Sequence, residues 1–174
     1  MRFKLRFPIA DVTAWAAKYS YSFTDQIPRN VARAARRRGR LTSREFLALA
    51  KWKSPRTQPR CAENSAAFIA EVTKTALAAK DEQLRIEVLT LLRGVHWPTA
   101  SVILHYCARG RYPILDYRAL WSLSSRVPKH GYNFPFWWAY CQFTRRLADS
   151  GGVSMRVLDR ALWRYSKELQ PPGA

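Results

Sequence analysis

Apolar residues recur along this chain at intervals of three, four and seven, the period of a helix with one buried face, and nowhere alternate long enough to read as a strand. Val12, Trp15, Ala16 and Tyr19 form the first such stripe, which predicts a helix within 7–19. Phe23 to Pro28 reads as a turn, and a helix follows over 29–40. Thr42-Ser43-Arg44-Glu45 has the spacing of a capping box ahead of Phe46, Leu47, Leu49 and Ala50. That helix should stop near Lys53, because Pro55 and Pro59 remove backbone donors from a basic loop, SPRTQPR. Phe68, Ile69, Val72 and Leu77 mark another helix within 62–80. Farther on, Ala119, Leu120 and Leu123 make one face of a helix over 117–125. A loop over 128–135 leads to an aromatic helix, 136–147, which Gly151-Gly152 closes. Ser154 then caps a last helix with Leu158, Leu162 and Tyr165 on one side, and the end of the chain, 171–174, reads as a loose tail.

The most informative stretch is LTLLRGVHWPTASVILHYCARGRYPILDYRALW, from Leu89 to Trp121. Leu84, Val88, Leu91 and Leu92 fit one face of a helix beginning near Asp81. Gly94 ends it, since glycine enters a left-handed cap without steric cost. Pro98 suits a first helical turn, and a second helix runs over 100–108. A helix, tight turn and helix over about 81–108 leave backbone N–H groups pointing outward with partial positive charge, a geometry that accepts phosphate.

Charge sharpens this picture. Thirty Lys and Arg against twelve Asp and Glu give a formal net charge of +18, and a compact state so charged repels itself unless a polyanion is its partner. Nucleic acid is the leading candidate and an anionic membrane surface the second. Arg36, Arg37 and Arg38 form a run at a helix end, either complementing the helix dipole or contacting phosphate; the overall charge favours phosphate. No apolar run approaches the roughly twenty residues needed to span a bilayer. Cys61, Cys107 and Cys141 are odd in number and widely spaced, which argues for reduced thiols in a soluble, intracellular protein. There is no HExxH, no Cys/His pair at zinc spacing, no Gly-rich phosphate loop and no clustered carboxylate pattern for a metal-dependent nuclease.

LxxLxGVxxPTAS followed by PILD resembles the helix-hairpin-helix DNA glycosylase superfamily, over about a fifth of the chain. The resemblance implies an all-α glycosylase-like fold of two helical lobes about a cleft, within a single domain over 1–170. It places Arg93, Gly94, Val95, His96 and Trp97 in the DNA-gripping hairpin and Thr99 and Ala100 in its continuation. Asp116 takes the position of the family's catalytic carboxylate. His96 stands where the family carries a second glycine. Pro98 stands where bifunctional members carry a lysine nucleophile, so the resemblance implies a monofunctional enzyme without lyase activity. Many family members hold an iron–sulfur cluster on four closely spaced cysteines, which three scattered ones cannot supply.

The expected function is therefore extrusion of a modified or mismatched base from double-stranded DNA and hydrolysis of its N-glycosidic bond. Charge develops on the sugar in that reaction, and an ionised Asp116 would stabilise it or orient water. The alternatives are a non-catalytic helix-hairpin-helix DNA-binding protein, with Asp116 an ordinary helix N-cap, or a basic protein on RNA or membranes. An extruded base needs aromatic or apolar faces, for which Tyr112, Tyr132, Trp137 and Trp138 are the candidates. The expectation includes no cofactor or metal, a monomer, and a cytoplasmic location, nucleoid-associated or nuclear.

Overall fold

The computed structural model describes residues 3–20 and 22–172, without the side chains of residues 22 and 23. Gly173 and Ala174, within the expected tail, lie outside the described residues. Among the described residues, ten α-helices and short 3₁₀ turns make up the regular structure, and there is no strand. The helices fall into two compact units, a terminal one built from residues up to Ser20 and from Arg111 onward, and a central one spanning Tyr21–Gly110.

In the terminal unit, α1 (Val12–Ala17) follows a 3₁₀ turn at Ile9–Asp11. Its companions are α8 (Tyr117–Ser122), α9 (Phe134–Ser150) and α10 (Met155–Leu169), with α10 packed against the other three. Leu158 and Leu162 are buried as their stripe predicts, and the Tyr165 ring lies 4.6 Å from Phe7 and 5.0 Å from Trp15. Ser154 caps α10 by accepting a bond from the Val157 N–H. The aromatic helix starts earlier than the sequence suggests, because the Asn133 side chain caps it and Pro135 occupies its first turn, where no backbone donor is needed. α8 ends three residues short of its expected end, with Ser124 in the left-handed region (φ 52) and the Ser125 N–H returning to the Leu120 carbonyl at 2.9 Å.

The central unit runs α2 (Gln26–Arg38), α3 (Ser43–Lys53), α4 (Gln58–Ala62), α5 (Ala66–Ala78), α6 (Glu82–Glu87) and α7 (Trp97–Cys107). The capping box is present in full, Thr42 accepting from the Glu45 N–H and Glu45 from the Thr42 N–H. Pro28 falls inside α2 rather than ahead of it, again in a first turn. The expected basic loop is instead a 3₁₀ turn, Pro55–Thr57, leading into α4: each proline that stops one helix opens the next segment.

The helix expected after Asp81 starts there, the Asp81 side chain accepting from the Leu84 N–H at 2.7 Å. It does not hold its period. From Val88 to Leu91 it tightens to 3₁₀ geometry, with three residues per turn, so Ile86, Leu89 and Leu92 align and are buried. Leu84 and Leu91, expected on the core face, are 49% and 61% exposed.

Candidate functional site

The hairpin of the central unit is built on Gly94, which sits in the left-handed region at φ 77. A Cβ added there would lie 2.8 Å from the Cys61 Sγ, 2.9 Å from the Cys61 backbone N and 3.0 Å from the Thr57 carbonyl oxygen. The turn therefore touches the backbone of α4 directly. Asn64 clamps it: its Nδ2 donates to the Arg93 and Cys61 carbonyls at 3.0 and 2.9 Å, and its Oδ1 accepts from the Arg93 N–H at 2.9 Å. Asn64 is missing from the sequence reading because its partner lies 29 residues away and no local spacing marks it.

Beyond the turn, His96 is the N-cap of α7 in extended backbone, and its side chain makes no capping bond. Pro98 removes one donor from the first turn, and the Ala100 N–H closes the first helical bond onto the His96 carbonyl at 2.9 Å. Among the expected contact residues, His96 and Arg93 are exposed and Trp97 is partly so. Val95 and Thr99 are buried, so their side chains hold the turn to the core and do not face a ligand. The Arg93 guanidinium pairs with Glu63 at 2.8 Å in an exposed setting.

The arginine run at the end of α2 divides. Arg38 forms a two-pronged pair with Glu45, at 2.7 and 3.2 Å, and also donates to the Arg40 carbonyl. It thus belongs to the capping box of α3. Burial pushes the Glu45 carboxyl up, but the hydrogen bonds from Arg38 and Thr42 outweigh it and hold the group below the usual glutamate range. Arg36 and Arg37 remain exposed on the last turn of α2. Burial pushes the nearby Cys107 thiol up to about 12 against the charge of Arg36, which keeps the sulfur protonated and unreactive.

Asp116 belongs to the terminal unit. It caps α8, its Oδ1 accepting from the Arg118 N–H at 2.9 Å, and it is partly exposed. The approach to it, Tyr112 to Leu115, is buried, and Tyr140 donates its hydroxyl to the Ile114 carbonyl at 2.9 Å. A wholly buried phenol thus fixes the backbone two residues before the carboxylate. Burial raises the Tyr132 hydroxyl to about 12, and the negative charge of Asp116 adds to the effect, which puts the two groups within electrostatic reach.

Of the four aromatic candidates, two are corrected. Trp137 is 0% exposed and Tyr112 is buried, their rings stacked on each other with centroids 5.9 Å apart and planes 10° apart. They fill the interior of the terminal unit and present no open face. The cause is helical phase: Trp137 and Tyr140 point inward from α9, whereas Trp138 is partly exposed. The Arg145 guanidinium lies 5.1 Å from the Trp138 ring and 5.2 Å from that of Tyr112. Tyr132 is half-buried against Phe136, 5.9 Å away, and keeps part of its surface open to solvent.

Comparison with protein-family models, with curated proteins and with solved structures finds no match for this chain. Among the described residues no three His, Cys, Asp or Glu side chains group as a metal site would require, and no helix is long and apolar enough to cross a membrane.

Proposed function

We propose that this protein binds double-stranded DNA through its hairpin and removes a modified or mismatched base as a monofunctional glycosylase, with Asp116 as the catalytic carboxylate. The observation that carries this reading is the setting of Asp116: a partly exposed carboxylate on backbone held by a buried Tyr140 bond, in a chain of net charge +18. A fixed anion of this kind suits a reaction that develops positive charge on a sugar. In this reading the DNA backbone would be met at the Gly94 turn and the first turn of α7, where His96 makes no side-chain capping bond and a helix N-terminus suits phosphate. Pro98, at the family's lysine position, offers no amine for a Schiff base.

A second reading, a DNA-binding protein without catalysis, is favoured by the bond from the Arg118 N–H to Asp116, which is what an ordinary N-cap does. One experiment separates them. The purified protein is incubated with duplexes carrying deaminated, oxidised, alkylated or mismatched bases, and abasic sites are revealed by alkali. On the proposed reading one duplex is cleaved only after alkali, borohydride traps no adduct, and Asp116→Asn binds that duplex without forming abasic sites. Wild-type turnover by Asp116→Asn would exclude the carboxylate, and prompt strand cleavage would indicate a lyase.

A further inference from the structure

Beside Asp116 the terminal unit carries a continuous strip of rings and guanidinium groups that the hairpin and the carboxylate do not use. It begins at Tyr117, the residue after Asp116, whose side chain is a large aromatic left 51% exposed. The Arg118 guanidinium lies 5.0 Å from the Tyr117 ring and 5.7 Å from the ring of Trp163 on α10. Trp163 meets Tyr19 edge-to-face at 5.4 Å, and Arg156 and Arg160 approach the Tyr19 ring at 5.3 and 5.6 Å. The guanidinium groups of Arg118, Arg156 and Arg160 all lie along the strip, that of Arg156 also pairing with Asp159.

We infer that this strip is a track for a DNA strand, on which the exposed ring of Tyr117 stacks against an unpaired base while Arg118 and Arg160 attract the adjoining phosphates. The composition is that of a surface for unpaired nucleic acid, aromatic platforms for base faces set among cations for the backbone. Tyr117 lies outside the core, since Ala119 and Leu120 bury the inner face of α8, and its ring is left open to solvent beside the Arg118 guanidinium. Extruding a base from a duplex leaves neighbouring bases unstacked, and a ring one residue from the proposed catalytic carboxylate is placed to cover one of them.

This inference rests on the reading of the protein as a DNA glycosylase, and its test is built to fail separately. Affinities are measured for a fully paired duplex and for the same duplex with one unpaired 2-aminopurine, whose fluorescence is quenched by stacking. Wild type should bind the unpaired duplex more tightly and quench the probe. Tyr117→Ala should lose about tenfold in affinity for the unpaired duplex, the scale of one base–aromatic stack, while binding the paired duplex as wild type does. Tyr117→Phe, which keeps the ring, should retain both affinity and quenching. Equal affinities and equal quenching in wild type and Tyr117→Ala would overturn the track and leave the hairpin reading standing. Failure of wild type to bind either duplex would overturn both.

Discussion

At Gly94 two constraints of different origin coincide. The left-handed φ of 77 is strained for any L side chain, and the space a Cβ would need is already taken by the Cys61 and Thr57 backbones. Backbone cannot rotate away as a flexible side chain would. Gly94→Ala should therefore destabilise the protein by roughly 2–4 kcal/mol, beyond what loss of glycine's freedom alone gives. Gly152, at φ 59 with nothing within 4 Å of its virtual Cβ, provides the comparison. Chemical denaturation of Gly94→Ala and Gly152→Ala should show the first losing clearly more, and equal losses would mean that contact with α4 adds nothing.

Among the elements, α3 has the most exacting start. Thr42, Glu45 and Arg38 form one network in which the ionised Glu45 accepts from both the Thr42 backbone and the Arg38 guanidinium. Because the folded state holds Glu45 below its ordinary pKa, the network's stabilisation is fully present above the unfolded value. It is lost as pH falls through the folded value. Urea denaturation between the ordinary glutamate pKa and more acid solution should show wild type losing stability over that interval. Glu45→Gln should start lower and lose less there. A parallel decline in both proteins would assign the pH dependence to other carboxylates. The same network explains why Arg38 is not interchangeable with its neighbours: Arg38→Ala should disturb the start of α3, whereas Arg36 and Arg37 lie outside it.

At the scale of the whole molecule, charge governs association. A net +18 on 174 residues makes any binding to DNA steeply salt-dependent, each neutralised phosphate contributing about −0.9 to the slope of log K against log salt. The double variant Arg36→Ala/Arg37→Ala should fold with wild-type stability and bind a paired duplex with a shallower slope, by about 0.9 for each contact removed. An unchanged slope would place both arginines away from the DNA.

The sequence alone determined what depends on neighbours within four residues. The 3.6-residue period declared an all-helical chain, and Thr42, Asp81 and Ser154 announced helix starts because a cap bonds to an N–H two or three residues on. Asp116 was legible for the same reason as a cap, its candidacy as a catalytic carboxylate coming from the family resemblance, and the need for glycine at position 94 was legible too. Tertiary structure decided everything whose partner is distant in the chain. It turned Leu84 outward and Ile86 inward on α6, and the 3₁₀ turn that follows then carries Leu89 inward, in line with Ile86, and Leu91 outward. It also buried Trp137 while leaving Tyr117 exposed, although both are aromatics at helical spacing. Asn64 reaches the Gly94 turn across 29 residues and Tyr140 reaches the approach to Asp116 across 26. Such bonds leave no periodicity to read, because separation along the chain says nothing of distance once helices have packed.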